Sequence, residues 1–95
     1  MNPIRLPKDF RYPNGITHSS IGTVYVGSIT SGDILQISPN DKGKADIKTF
    51  FGGNEEIFAV TTLRLDEPRG ILWGSSPDVL GTIGKHHRFF ANDIL

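Results

Sequence analysis

Apolar and polar positions alternate along most of this chain, and no helical period of three or four residues persists anywhere. From Tyr12 to Ile37 the pattern reads as three short strands in succession. One ends at Thr17, the next covers 23–28 and the third 34–37. The linkers between them are tight and rich in Gly, Ser and Asp, which supply turn geometry at little steric cost. Val24, Tyr25 and Val26 are residue types that fit a pleated surface.

Further along, Ser38-Pro39-Asn40-Asp41-Lys42-Gly43-Lys44 is a turn by composition. A fourth strand is expected over 45–51, with Ile47, Thr49 and Phe51 on one face and Lys48 and Phe50 on the other. Gly52-Gly53-Asn54-Glu55-Glu56 forms a second loop. A strand over 57–66 alternates Ile57, Ala59, Thr61, Leu63 and Leu65 against Phe58, Val60, Thr62 and Arg64. A helix over 54–61, with Glu55 and Glu56 near its start, is the competing reading, and the alternation and the Thr61-Thr62 pair favour the strand. Glu67-Pro68-Arg69 turns the chain. A strand over 70–76 places Ile71 and Trp73 on one side, a long connection follows over 75–85, and a last strand is expected over 88–94. Ahead of all this, residues 1–12 carry Pro3 and Pro7, which favour an extended lead-in. Ile4, Leu6 and Phe10 are placed to pack on the edge of the first strands.

The two halves resemble each other. Gly15-Ile16-Thr17-His18-Ser19 matches Thr62-Leu63-Arg64-Leu65-Asp66, and Gly22-Thr23-Val24-Tyr25-Val26 matches Gly70-Ile71-Leu72-Trp73-Gly74. The offset of about 47 to 48 residues falls in the range of a propeller blade. The meander of short strands is the unit of such a blade. The expected fold is therefore all-β: antiparallel four-stranded blades of a β-propeller, about seven strands in two blades, the second incomplete. The chain is one partial domain, with a lead-in over 1–12, a first blade over 13–53 and a second over 54–95. Interior blades are sandwiched between neighbours, so their strands are apolar on both sides, as in Asp33-Ile34-Leu35-Gln36-Ile37 and Ile57-Phe58-Ala59-Val60. An isolated two-blade piece would leave apolar faces open, which predicts self-assembly or marginal stability.

Composition narrows the function classes. With 95 residues, the chain is at most one domain with a modest core. The formal net charge is zero with acids and bases interspersed, so no electrostatic footprint for nucleic acid or an anionic membrane surface is expected. No cysteine is present, which removes disulfides, thiolate chemistry and Cys-based metal sites. No segment approaches the roughly 20 apolar residues of a membrane span, and the N-terminal residues lack the apolar run of a signal peptide. A soluble, cytoplasmic protein is the expectation.

The run Tyr12-Pro13-Asn14-Gly15-Ile16, then Gly22-Thr23-Val24-Tyr25-Val26-Gly27-Ser28, then Leu63-Arg64-Leu65-Asp66 with Arg69-Gly70-Ile71-Leu72-Trp73, resembles the senescence-marker-protein/gluconolactonase family. Strictosidine-synthase-like and NHL-type propellers are close relatives. Ser75-Ser76-Pro77-Asp78 and His87-Arg88-Phe89-Phe90-Ala91 resemble the next segments of such proteins. The resemblance implies a six-bladed propeller with a divalent metal, often calcium, in the central channel. In the family's enzymes the metal polarises a lactone or ester and helps activate water. Six blades need roughly three times this length at the spacing seen here, so the match covers about the first two blades.

The resemblance makes Asn14 the candidate metal ligand, because an Asn before Gly and an aliphatic residue can sit at the inner mouth of a blade. An amide oxygen suits a hard cation such as calcium. The plain alternative is that Pro-Asn-Gly is a turn. Val60-Thr61-Thr62 stands where the second repeat might offer an equivalent ligand, so none carries over. Calcium takes six to eight oxygens, and the family's carboxylate ligands have no placed equivalent. Other candidates read more simply. His86-His87 invites a metal reading, but adjacent residues on a strand point to opposite faces and do not chelate one ion easily, so a solvated loop-to-strand junction is the expectation. His18 sits in a turn, and no Ser–His–Asp order stands out. Glu55-Glu56 fits a solvated loop better than a ligand pair, and Gly52-Gly53 lacks the context of a phosphate loop. Trp73 is expected to pack between blades, where its large apolar area is best buried. Catalytic residues are not identifiable. The leading functional expectation is a segment related to metal-dependent lactone or ester hydrolases, catalytically incomplete alone. Its rivals are a non-catalytic binding or scaffold module and a homo-oligomer assembling through exposed blade faces, three copies making one ring.

Overall fold

The computed structural model describes residues 4–54, 57–76 and 88–94. Its strands are β1 (Pro13–His18), β2 (Val24–Ser28), β3 (Asp33–Pro39), β4 (Ala45–Gly52), β5 (Thr62–Asp66), β6 (Ile71–Ser76) and β7 (Arg88–Asp93). They form two antiparallel sheets with neighbours in chain order, one of four strands (β1 to β4) and one of three (β5 to β7). The all-β architecture expected from the alternation is observed, and the expected connection over 77–87 lies outside the described residues.

Turn chemistry explains how the meander closes on itself. Ser19 caps the β1–β2 turn: its N–H donates to the Thr23 carbonyl at 2.8 Å and its Oγ accepts the Thr23 N–H at 3.1 Å. Asn40 plays a comparable part between β3 and β4, where its Oδ1 accepts the N–H groups of Lys42 and Lys44. This is the local bonding that suits Ser and Asn to turns. At Gly32 (φ +73) the chain passes hard against the Ile57 carbonyl, a contact only glycine permits.

The repeat inferred from the sequence reappears as strand register. In the first sheet Ile16 pairs with Val26, Thr17 with Tyr25 and His18 with Val24. In the second, Leu63 pairs with Gly74, Arg64 with Trp73 and Leu65 with Leu72. These are corresponding pairs at offsets of 47 on the first strand and 48 on the second.

The core lies between the two sheets. Tyr25, Ile34, Val60, Leu63 and Leu72 form its buried centre, with Phe50, Phe51, Leu65, Phe90 and Ile94 packed against it. The Tyr25 and Phe50 rings meet edge to face with centroids 5.3 Å apart, and Phe51 stacks on Phe90 across the interface at 6.1 Å. The opposite face of the first sheet holds a smaller cluster of Val26, Leu35 and Ile37, covered by Leu6 and Phe10 of the lead-in. Thus Ile34 and Leu35, neighbours on β3, are both buried, on opposite faces. This is the two-sided apolar strand expected from the sequence. The lead-in covers a face and not an edge, it makes a turn at Phe10 N–H to Pro7 carbonyl (3.0 Å), and Ile4 stays exposed.

Three expectations need correction. The strand expected over 57–66 begins only at Thr62. Ile57, Ala59 and Val60 are buried, but the segment spends its N–H groups elsewhere: Phe58 and Ala59 donate to Ser76 Oγ, and Val60 donates to the Ser28 carbonyl. It straddles both sheets and so joins no ladder. Phe50 and Phe51 do not face opposite ways, because a register shift opposite Ile34 and Leu35 makes Phe50 an extra residue and turns both rings toward the core. Trp73 is not packed between the sheets. It is 46% exposed, since Leu72 and Gly74 on either side of it supply the face that meets the first sheet.

Candidate functional site

The place where the repeats converge is the line of contact between β1 and β5, the first strand of each sheet. Thr17 Oγ1 on β1 accepts the N–H of Leu65 on β5 at 3.3 Å. Gly15 (φ +71) forms a bulge between Asn14 and Ile16, and a Cβ there would lie only 3.2 Å from the main chain of Thr61 and Thr62. The bulge is what lets the two strands approach. At one end of this line Glu67 clasps the equivalent turn of the first repeat. Its two carboxylate oxygens accept the Ser20 N–H at 2.8 Å and the Ser20 hydroxyl at 2.6 Å. Those bonds, the hydroxyl first, hold the Glu67 carboxyl below the ordinary carboxylate range, with a smaller push from His18. Beside it Arg69 pairs with Asp66 at 2.8 Å.

Two serines tie each sheet to the segment leading into it. Ser28 and Ser76 end the second strand of their repeats 48 residues apart, and both are fully buried. Ser28 Oγ donates to the Arg11 carbonyl at 2.7 Å. Ser76 Oγ accepts the N–H groups of Phe58 at 3.1 Å and Ala59 at 3.2 Å. Arg11 and Ala59 are themselves 48 residues apart. Sequence reading did not single out these serines or the Ser20–Glu67 clasp. The available signal for the serines was a hydroxyl at the same distance past the aromatic residue of each repeat.

Asn14 lies on β1 opposite Gly27, exposed, in the bulge and not in a free turn. Just before it, Tyr12 adopts a left-handed backbone (φ 50), which is rare for a residue with a side chain. Ile29 N–H donates to the Tyr12 carbonyl at 3.1 Å and holds it there. No group of three or more His, Asp or Glu side chains converges among the described residues. One exposed amide falls far short of the six to eight oxygens of a calcium site, so the described residues do not by themselves fit the metal that the resemblance implies. His18 is the last residue of β1, with Nδ1 3.2 Å from the Ser19 carbonyl oxygen, and among the described residues its ring meets no hydroxyl nucleophile. Glu55, Glu56, His86 and His87 lie outside the described residues. No helix among the described residues is long and apolar enough to cross a membrane.

What remains chemically distinctive is the pair of outer faces. Parity along the strands decides which is which. Tyr25 in the first repeat corresponds to Trp73 in the second, and Val24 corresponds to Leu72. Tyr25 and Leu72 meet in the core, so the Tyr25 face of one sheet packs on the Leu72 face of the next. The sheets are stacked head to tail, each presenting a different face. The face of the second sheet that matches the buried Tyr25 face carries Ile71, Trp73, Phe89 and Ala91, and Phe89 is 86% exposed. Comparison with known proteins adds no relative: no family model, curated protein or solved structure matches the chain.

Proposed function

We propose that this chain is a propeller-type segment of the kind that its resemblance to the senescence-marker-protein/gluconolactonase family implies, serving as a scaffold and not completing hydrolysis by itself. The observation that supports this reading is the head-to-tail stacking of two register-equivalent sheets with their first strands side by side. That is the relation by which blades add around an axis, and it leaves a surface for the next element to join. The hydrolase side of the resemblance assigns the chain a lactone or ester substrate and a calcium ion near Asn14. The described residues around Asn14 do not supply a ligand set, so this chemistry would need ligands from beyond them.

The test is direct. The purified chain is incubated with lactones and aryl esters, with and without added calcium, and its melting midpoint is read in both conditions. The expected result is no turnover above the uncatalysed rate and no calcium-dependent shift in the midpoint. Calcium-dependent hydrolysis that disappears in Asn14→Ala would overturn the scaffold reading and install the hydrolase reading in its place.

A further inference from the structure

The two outer faces of the stack are complementary to each other. The first sheet, on the side away from the core, has a groove whose lining includes Ile4, Val24, Ala45 and Ile47 together with Arg5 and Lys44. Val24 in this groove is the counterpart of Leu72, which is the residue that receives the Tyr25 face inside the chain. On the far side, the second sheet presents Trp73 and Phe89. These lie on adjacent strands, Trp73 opposite Ala91 and Phe89 opposite Ser75, so both stand on one face. Trp73 is the counterpart of Tyr25. The lead-in already covers the Val26, Leu35 and Ile37 part of this face through Leu6 and Phe10, so the groove beside it, where Val24, Ala45 and Ile47 are partly exposed, is what stays open.

We propose that the Trp73–Phe89 face of one copy docks in the groove of a second copy at Val24, Ala45 and Ile47, beside the lead-in, setting Trp73 against Val24 as Tyr25 is set against Leu72 within the chain. This rests on the scaffold reading above and names its partner. The repeat is what argues for a second copy over an unrelated protein: the occupant of the internal interface is a sheet of this same repeat, its Tyr25 meeting Leu72, and the groove offers Val24, the counterpart of Leu72, to Trp73, the counterpart of Tyr25. The contact is heterologous, so it propagates head to tail and closes into a ring or runs on as a filament. Large exposed aromatics such as Trp73 are the residues that dominate such interfaces.

The experiment is light scattering on the full chain over a concentration series, with Trp73→Asp and Ala45→Arg as variants and circular dichroism as the check on folding. The wild type is expected to associate. Each variant is expected to weaken association at least about 30-fold. Ala45→Arg keeps an intact aromatic face and Trp73→Asp keeps an intact groove, so an equimolar mixture of the two is expected to form a one-to-one dimer and nothing larger. Isologous pairing or nonspecific stickiness does not produce that complementation. A wild type that stays monomeric with a cooperative melt overturns the docking and leaves the scaffold reading standing. So does association that Trp73→Asp leaves unchanged, or a mixture that fails to pair. A chain whose melt is non-cooperative and unaffected by Leu72→Ala overturns the stacked-sheet reading and the docking with it.

Discussion

Ser76→Ala tests whether the segment between the sheets is held by a single hydroxyl. Ser76 is fully buried and its Oγ accepts two main-chain N–H groups, those of Phe58 at 3.1 Å and Ala59 at 3.2 Å. Alanine keeps the packing and removes the acceptor. Ala59 is 4% exposed, so water does not reach its N–H. An orphaned buried N–H costs about 1–3 kcal/mol. Phe58 is half-buried, so its N–H adds less. A total of about 2 kcal/mol is expected, which for a domain of this size lowers the melting midpoint by about 8–16 °C.

The comparison with Ser28→Ala sharpens the test. Ser28 is equally buried, but its Oγ donates to the carbonyl of exposed Arg11 and accepts from exposed Thr30 at 3.3 Å. Water can replace those partners, so about 1 kcal/mol is expected there. Thermal melts followed by circular dichroism give the ranking, and amide hydrogen exchange should single out Ala59 in Ser76→Ala. A midpoint that falls less for Ser76→Ala than for Ser28→Ala, with Ala59 still protected, would refute the account of how the bridging segment is held.

Gly32→Ala should abolish cooperative folding or cost more than about 3 kcal/mol, whereas Gly43→Ala should cost about 1 kcal/mol. Both have positive φ, but a Cβ at 32 collides with the Ile57 carbonyl while one at 43 meets nothing; equal losses in urea unfolding would dismiss the steric argument. The Glu67 clasp should make stability pH-dependent on the acid side. Its carboxyl is lowered from 4.5 in the folded chain, so its contribution is present above that value and fades as pH falls through the lower folded one. The melting-point gap between wild type and Glu67→Gln should therefore close in acid, and a gap that persists unchanged would contradict the bond. Asn92→Leu should stabilise by about 1 kcal/mol, because Asn92 Nδ2 is buried with no partner among the described residues and the side chain faces the Leu72 layer. A lower melting midpoint would reveal a partner for that amide.

Much of the fold was legible because turns and alternation are local. Pro39, Asn40 and Gly43 announced the β3–β4 turn, and the apolar pairs of β2 and β3 announced strands with two buried faces. The segment over 57–61 misled because burial produces the same apolar pattern in a strand and in a buried connection. What separates them is the destination of the main-chain hydrogen bonds, and the Ser76 hydroxyl that receives two of them lies well away in sequence. The bulge at Phe50 was invisible for a related reason: one extra residue leaves composition untouched and inverts the facing of the residues beyond it. Asn14 could be placed on a motif but not given neighbours, since a ligand set is a property of several strands at once.

Trp73 carries the most instructive error, because its fate depends on which face of the second sheet closes the core, and that choice is matched by the parity of a single turn. The offset between repeats is 47 on the first strand and 48 on the second, so the second repeat has one more residue in its turn. That residue is absorbed where Glu67–Arg69 forms a single 3-10 turn and Gly70 closes it in a left-handed conformation (φ 65). Were the offset 48 on both strands, Arg64 would pair with Gly74 and share the face of Leu72, placing a guanidinium in the core. The extra residue slips β5 by one, which brings Leu63 and Leu65 onto the Leu72 face and sends Arg64 out with Trp73. A one-residue slip exchanges every side chain between the two faces of a strand. The turn therefore fits β5 to the Leu72 face that closes the core, while Trp73, next to Leu72 on β6, lies on the outer face in either register, so the aromatic surface follows from the face by which the second sheet meets the first.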